Sequence, residues 1–323
     1  MSQTSTKPTL IKTAKPARTL SIAGLGEVST GLLGFATLVG FLGPWWWFFD
    51  LFSHFRLQYF GASLILVVIL GLKRSKTLTG ILGGLALINL LVLQPWVLAE
   101  NMSHRPPRLR IIWWNVQSAN SQQEAAVDWI LSQGADLVAL GEISPPWEPA
   151  LSRLNTHYPH QVTAIRQDNF GLGLYSKSPV FEPEWFEDRE DFTPTLRVSI
   201  QVDGRALDIL ITHPRPPIGH QATQLRNAQL NSLAGAVSQR GQHTVLVGDL
   251  NTTPWNHAFR SFLRESQLTR HRVGLQPTWP AKILPLRIPL DHCLTSTNLT
   301  ITRFQVGPPT GSDHAPLLID LSW

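Results

Sequence analysis

The sequence predicts a mixed α/β domain that follows a helical membrane anchor, and three patterns indicate this arrangement. Long apolar stretches with few charges fill most of the first hundred of the 323 residues. From about residue 110 onward, short apolar runs alternate with turn residues, which is typical of many short strands. Helical periodicity appears between some of these runs, at 124–133 and at 221–238.

The anchor is predicted from three apolar stretches, which indicate about three transmembrane helices within residues 20–99. They lie at 20–47, 57–72 and 78–98. A spanning helix needs roughly 20 apolar residues. The first stretch ends in the aromatic run 45–49, and tryptophans favour the membrane–water interface. It is too long for the apolar core of a signal peptide, whereas the second stretch is short enough to be re-entrant.

The positions of the basic residues predict the orientation of these helices. Residues 1–19, a predicted disordered basic tail, precede the first stretch, and a second basic cluster separates the second and third stretches. Short loops rich in Lys and Arg stay in the cytoplasm, so two crossings would separate the clusters. A third span then carries the rest of the chain outside, through a short linker at 100–109. We therefore predict a multi-pass protein of the inner or plasma membrane with an extracytoplasmic domain at 110–323.

Charge divides the chain at the same place. Residues 1–110 contain eleven Lys/Arg and three acidic residues, a net charge of +8. Of the 27 basic and 22 acidic residues in the chain, 16 and 19 remain after residue 110, a net charge of −3. The domain therefore lacks the excess of positive charge that is typical of nucleic-acid binding. The single cysteine, Cys293, excludes an internal disulfide and gives no support to a Cys/His zinc cluster.

Polar residues stand at the ends of the predicted strands, where a rigid scaffold presents site residues. They are Asn115, Glu142, His213, Asp249, Asn251, Asp291, Asp313 and His314. Each alone has an ordinary structural explanation, such as a solvated strand end or a turn cap. In an extended segment Asp249 and Asn251 would face the same way. Carboxylates and amides without an obvious nucleophile suit a hard cation such as Mg²⁺, with water as the attacking group.

The ordered combination of motifs resembles the endonuclease/exonuclease/phosphatase (DNase I-like) superfamily over residues 110–323. The motifs are Trp114-Asn115, the run 135–142 that ends in Glu142, Thr212-His213-Pro214, Gly248-Asp249-Leu250-Asn251, Pro277-Thr278-Trp279, Leu290-Asp291-His292 and the run 311–316 around Asp313-His314. The resemblance implies a four-layered α/β/β/α sandwich and a Mg²⁺ or Mn²⁺ ion. It implies that Glu142 is the principal metal ligand, with Asn115 next to the metal and the scissile phosphate and Asp313 as a metal-side carboxylate.

The resemblance also implies the roles of the remaining residues. Asp249 would orient or deprotonate the attacking water, and Asn251 would donate to the phosphoryl oxygens. His213 and His314 would be the two imidazoles at the phosphate, and Asp291 would orient His314. Asp249 and His314 are then expected to act on one phosphoryl centre.

Three functions stay open at this stage. The first is a membrane-anchored hydrolase of a phosphodiester or phosphomonoester, the second a DNA or RNA nuclease, and the third a binding module without activity. Retention of every motif position argues against the third, and the acidic domain favours the first over the second. Two local departures from the family pattern are Gly141, where Gln is common, and an acidic stretch at 181–191, which predicts a solvated loop. The oligomeric state is not predicted.

Overall fold

The structure is a computed structural model that describes residues 22–99, 103–187, 193–239, 243–271 and 273–323. The predicted tail at 1–19 lies outside the described residues. So do 100–102 of the predicted linker and 188–191 of the acidic stretch.

The described residues form eight α-helices and eleven strands. The helices are α1 (Ile22–Val39), α2 (Trp47–Ser53), α3 (Arg56–Leu72), α4 (Lys76–Val97), α5 (Gln123–Ser132), α6 (Glu148–Leu151), α7 (His220–Ser238) and α8 (His257–Ser266). The strands are β1 (Leu109–Asn115), β2 (Leu137–Gly141), β3 (His160–Ala164), β4 (Leu172–Ser176), β5 (Val180–Glu187), β6 (Pro194–Val202), β7 (Arg205–Thr212), β8 (Thr244–Asp249), β9 (Asp291–Thr295), β10 (Thr300–Val306) and β11 (Leu317–Ser322). The two helices that periodicity predicts, at 124–133 and 221–238, are α5 and α7.

The anchor contains two or three candidate spans in the described part of the chain. Gly24–Leu42 and Lys76–Val97 are each long and apolar enough to cross a membrane. The helices α2 and α3 pass the same test only as a pair bent by 59°. The predicted first stretch, 20–47, is therefore divided. Its helix ends before Pro44, which lacks an N–H group and cannot continue a helix, and the aromatic run enters the separate helix α2.

Two sheets pack face to face, with strand orders β10-β11-β1-β2-β4-β3 and β5-β6-β7-β8-β9. Alternation along β1 explains the layers, because successive side chains point to opposite faces of a sheet. Ile111 and Trp113 enter the core between the two sheets, whereas Ile112 and Trp114 enter the core beneath α5 and α6. On the outer face of the second sheet, α7 and α8 bury a third apolar cluster. The predicted four-layered sandwich is confirmed.

Strand direction brings the ends of several strands to one edge of the sandwich. Within the first sheet β1 and β2 run parallel, and within the second sheet so do β7 and β8. Asn115 at the end of β1 donates to Asp249 at the end of β8, so the carboxyl ends of both pairs lie at the same edge. The antiparallel strands β9 and β11 begin at this edge, where Asp249 pairs with Asp291 and Trp113 with Leu317. The register therefore collects residues that are far apart in the chain.

The anchor and the domain share buried polar contacts. Asp50 of α2 is fully buried and accepts a 2.7 Å hydrogen bond from Nη2 of Arg226 on α7. Its other oxygen accepts a 2.6 Å bond from Nδ2 of Asn256. The Trp96 ring, near the end of α4, lies 6.2 Å from the Phe259 ring on α8 in an edge-to-face arrangement. Breaking a buried ion pair is strongly destabilising, so these contacts hold α2 firmly on the domain.

The acidic stretch is not a loop where the structure describes it. Residues 181–187 belong to β5, which pairs with β6 at the edge of the second sheet opposite to β9. Arg197 of β6 lies 3.6 Å from Glu182 and 3.5 Å from Glu184. The loop prediction is wrong here because apolar residues such as Trp185, packed against the core between the sheets, hold the acidic ones in a strand.

Candidate active site

The eight residues predicted from the strand ends meet at the edge that the register creates. Six of them line one cavity of about 420 Å³: Glu142, His213, Asp249, Asn251, Asp313 and His314. Asn115 and Asp291 are buried and contact these lining residues. The structure therefore brings the whole predicted set together.

Asn115 joins two of the carboxylates. Its Nδ2 group donates to Oε1 of Glu142 at 2.9 Å and to Oδ2 of Asp249 at 3.3 Å. The other oxygen of Glu142 accepts a 3.2 Å bond from the backbone N–H of Ser118. Glu142 follows β2 with a φ of 61°, a left-handed conformation that is uncommon for residues other than glycine. Such strain persists only where the surroundings impose it, and here the carboxylate lines the cavity.

Asp249 lies between two imidazoles. Its Oδ2 atom is 3.5 Å from Nε2 of His213 and 3.5 Å from Nε2 of His314. Burial raises the pKa of Asp249 to about 6, although the charges of the histidines act in the opposite direction. A carboxyl group with this pKa is ionised at neutral pH and is still basic enough to accept a proton.

His314 is held from behind by Asp291. Its Nδ1 atom lies 2.8 Å from Oδ2 of Asp291, and Nε1 of Trp113 donates to the other oxygen of that carboxylate at 2.7 Å. Burial alone would lower the pKa of His314, but the carboxylates of Asp291 and Asp249 raise it to about 10. The imidazole is therefore protonated at neutral pH, and its Nε2–H group points towards Asp249.

Asn251 reaches the cavity in a different way from the one predicted. Its φ is 48°, so the chain turns after Asp249 instead of staying extended. The backbone N–H of Asn251 donates to Oδ1 of Asp249 at 2.9 Å, and its Nδ2 group donates to the carbonyl of Pro214 at 2.9 Å. The side chain still lines the cavity because this turn, and not strand alternation, directs it there.

Comparison with known proteins identifies the family. The sequence profile of the endonuclease/exonuclease/phosphatase family matches residues 112–314. The chain belongs to this family. Enzymes of the family hydrolyse phosphate esters, and the protein is a hydrolase of that class. A search of the curated proteins by sequence gives no match.

Solved structures share the fold at low sequence identity. They include a humanised TDP2 from D. rerio, the catalytic domain of human Nocturnin with bound sulfate, and a mutant of beta toxin from Staphylococcus aureus with bound magnesium ions. The identities are 16%, 18% and 16%, and the TM-scores are 0.54, 0.52 and 0.52. They cover 67%, 68% and 66% of this chain and 99% of each of their own chains. This similarity supports the fold and not a particular substrate.

Two groups of residues at this cavity could hold a metal ion. Among the described residues, ligand atoms of Asp249, Asp291 and His314 lie within 4.8 Å of one another. Asp291 lies behind His314 and is not among the residues that line the cavity, however, and a protonated His314 would repel a cation. Glu142 lines the cavity and offers carboxylate oxygens there, one of them held by the Nδ2 group of Asn115, which suits a hard divalent cation better.

Sequence reasoning assigned no role to two tryptophans of the site. Trp113 looks like an ordinary core residue of a strand, yet its N–H group fixes Asp291. Trp279 donates from Nε1 to Oδ2 of Asp313 at 3.0 Å. Gly141 now has an explanation, since a Cβ atom there would lie 2.8 Å from the Trp113 ring. A glutamine side chain at this position would need the space that the Trp113 indole fills.

Replacement of Asp291 by Asn tests the origin of the charge on His314. The negative charge of Asp291 is the largest of the effects that raise the pKa of His314. Its removal should lower this pKa, so His314 should lose its proton at a lower pH. We expect kcat/KM to fall by about 10²-fold or more, and its decline on the alkaline side to move from near pH 10 to lower pH. The measurement is a pH profile on a chromogenic phosphodiester.

The exposed Asp128, which pairs with Arg153 on the surface, provides the control for this experiment. Asp128→Asn should leave the profile unchanged. An Asp291→Asn variant with the same alkaline decline as the wild type would show that His314 is not the group that titrates.

Proposed function

We propose that the protein is a divalent-metal-dependent phosphoesterase in which water attacks the phosphorus atom directly. The observation that supports this most strongly is the arrangement around Asp249, a buried carboxylate between two imidazoles with Glu142 beside it. Family membership supplies the phosphate ester class. The leaving group and the choice between a diester and a monoester are left to experiment, and a DNA or RNA substrate is the alternative.

The metal ion, Mg²⁺ or Mn²⁺, is assigned to Glu142 as principal ligand, with Asn115 and Asp313 on the same side. The oxygen donors at the cavity wall fit such an ion, and beta toxin, which shares the fold, binds magnesium ions. When bound, the ion supplies Lewis-acid stabilisation of negative charge on the phosphoryl oxygens.

The remaining residues act on water and phosphate. Asp249 orients the water and accepts its proton, for which its raised pKa is suited. The protonated His314 donates a hydrogen bond to a phosphoryl oxygen, with Asp291 fixing its tautomer and charge. His213 and Asn251, which line the same cavity, are further polar contacts for the phosphate. Fixed donors of this kind stabilise the charge that develops in the transition state.

The lining of the cavity supports attack by water. None of the described residues that line it is a serine, threonine or cysteine. Cys293 is buried in β9, and burial raises the pKa of its thiol to about 12. A thiol of this kind is not a nucleophile at neutral pH.

The test is hydrolysis by the purified full-length chain of bis(p-nitrophenyl) phosphate and p-nitrophenyl phosphate, with plasmid DNA and RNA in parallel. We expect metal-dependent release of nitrophenolate from at least one ester. In water enriched in ¹⁸O, attack at phosphorus places the heavy oxygen on the phosphate product, whereas attack at the carbon of the ester would place it on nitrophenol. Absence of hydrolysis of every substrate with both metals would contradict the proposal.

The membrane position is part of the same proposal. We propose a multi-pass protein of the inner or plasma membrane, with three spans and the catalytic domain outside the cytoplasm. The candidate spans support this, and so does the basic cluster at Lys73, Arg74 and Lys76 between α3 and α4. The bent pair of α2 and α3 must cross once for this orientation.

Reporter fusions after Trp323 test the orientation. A phosphatase that is active only after export should be active, and a fluorescent protein that matures only in the cytoplasm should be dark. The reverse pattern would show that the α2–α3 pair re-enters the membrane without crossing. The domain would then be cytoplasmic.

A further inference from the structure

The anchor supplies part of the wall of the catalytic cavity. Leu51, at the middle of α2, and His54 and Phe55, in the turn before α3, line the same cavity as Glu142 and Asp249. The apolar residues Ile218 and Leu290 belong to the domain and line it as well. The cavity thus has a polar end, where the catalytic groups lie, and an apolar wall built in part by the membrane anchor.

This apolar wall is fixed to the domain by hydrogen bonds. The carbonyl of His54 accepts a 3.2 Å bond from Nε1 of Trp255, and its Nδ1 atom lies 3.2 Å from Oγ1 of Thr253. The buried pair of Asp50 and Arg226 holds the preceding turn of α2. Nη1 of Arg226 also donates to the carbonyl of Asn251, a residue of the cavity. The anchor is therefore a structural component of the site and not only a tether.

The cavity lies at the end of the anchor where the aromatic run is found. Phe55 directly precedes α3, which belongs to a candidate span. Trp45 and Trp46, before α2, are 81% and 46% exposed. Exposed tryptophans at the end of spanning helices mark the membrane–water interface. This places the cavity close to the level at which the helices leave the bilayer.

Exposed apolar residues of the domain lie on the same side. The segment 283–286, which includes the 3₁₀ helix Leu284–Leu286, carries three of them, Ile283, Leu284 and Leu286, of which Leu284 is 73% exposed. Gln58 of α3 donates from Nε2 to the carbonyls of Pro285 and Arg287, so this segment lies against the candidate span. Ile218, at the cavity, is 75% exposed. Exposed apolar residues grouped in this way are typical of a membrane-contacting surface.

From these observations we infer that the substrate is an amphiphilic phosphoester of the membrane, whose apolar part packs along Leu51, Phe55 and Ile218 while its phosphate lies among the catalytic groups. The inference rests on the proposed phosphoesterase function and adds the substrate class. An apolar wall removes hydrocarbon from water, which favours such a molecule. The same wall gives no favourable contact to a long polyanion, and residues 111–323 have a net charge of −3.

A matched pair of substrates tests the inference: octyl p-nitrophenyl phosphate and methyl p-nitrophenyl phosphate. They have the same leaving group and charge, and differ only in the alkyl chain. With full-length protein in lipid nanodiscs, Mg²⁺ and both esters below micelle formation, we expect kcat/KM to favour the octyl ester by on the order of 100-fold. Each buried methylene contributes roughly a factor of four, so burial of about half of the seven additional methylenes gives a preference of this size.

Variants separate recognition by the wall from simple partition into lipid. Ile218→Ser is too exposed to affect folding and should lower the octyl-to-methyl ratio about tenfold, and Phe55→Ser should lower it similarly. Phe181→Ser, at an exposed position of β5 far from the cavity, should leave the ratio unchanged. The partition of the esters into lipid is the same for all variants. The inference is therefore supported only if the octyl-to-methyl ratio of kcat/KM falls in the cavity variants and not in Phe181→Ser.

The outcomes distinguish this inference from the proposed function. Equal rates on the two esters, or an octyl preference that survives in both cavity variants, would overturn the inference and leave the phosphoesterase intact. Faster hydrolysis of DNA or RNA than of the octyl ester would also overturn it. Failure to hydrolyse either ester or nucleic acid would overturn the proposed function itself.

Discussion

Asp249→Asn should lower kcat by about 10³-fold, which corresponds to a loss of about 4 kcal/mol of transition-state stabilisation. The amide retains the shape of the carboxylate but cannot accept a proton from water. His314→Gln should produce a loss of similar size, because the variant loses the charged donor to the phosphoryl group. The two side chains are 3.5 Å apart and serve one reacting centre.

Their effects should therefore be far from additive. Residues that act as a unit cost about as much together as either costs alone. We expect the double variant Asp249→Asn/His314→Gln to lose little more than the stronger single variant. The measurement is kcat on a chromogenic diester for the wild type, both single variants and the double variant. If the fold-loss in kcat of the double variant equalled the product of the two single losses, the residues would act independently.

Glu142→Gln should reduce turnover by about 10²–10³-fold and raise the metal concentration needed for half-maximal activity. A loss of this size is the typical cost of removing one electrostatic stabiliser of a transition state. The glutamine preserves the size of the side chain and can still accept a hydrogen bond from Asn115. The thermal unfolding midpoint should change little, because Glu142 lies at the end of a strand and is partly exposed.

A second acidic residue provides the control for Glu142. Glu148, at the start of α6, is exposed and lies outside the cavity, so Glu148→Gln should leave both turnover and metal dependence unchanged. Wild-type turnover and wild-type metal dependence in Glu142→Gln would exclude this residue as a ligand. The metal ion would then have to be assigned to the group of Asp249, Asp291 and His314.

The strand ends were predictable from the sequence because the pattern is local. An apolar run followed by a polar residue indicates a strand end, as at Asn115, Glu142 and His213. This pattern does not depend on which strands lie beside it in the sheet. Asp291 shows where this local reasoning is incomplete. It begins β9 instead of following a strand, and reaches the site because β9 runs antiparallel to β8.

The roles of Trp113, Asn251 and Leu51 depend on information that local patterns lack. Trp113 alternates into the core like its neighbours, and only the packing of the first sheet against the second brings its N–H group to Asp291 of β9. The left-handed turn at Asn251 is imposed by its bonds to Asp249 and Pro214. Leu51 lies between the first two predicted spans, in a segment for which the sequence predicts no role.

The contribution of the anchor to the site arises from one long-range contact. Asp50 is an acidic residue in an otherwise apolar segment, and a charge in such a segment is costly unless it is paired. Its partner, Arg226, is 176 positions away on α7, and helical periodicity gives no sign of the pairing. A fragment that begins at residue 110 would lack this contact and the residues of α2 that line the cavity. Activity assays therefore require the full chain.

Metal-dependent hydrolysis at the Glu142 side of this cavity can be measured by a metal titration. Chelator-treated full-length protein is mixed with bis(p-nitrophenyl) phosphate, and Mg²⁺ or Mn²⁺ is added stepwise while nitrophenolate release is followed. We expect no release before the metal is added and a saturable rise afterwards, shifted to higher metal concentration in Glu142→Gln. A full rate in excess chelator, or titration curves that coincide for the wild type and Glu142→Gln, would contradict it.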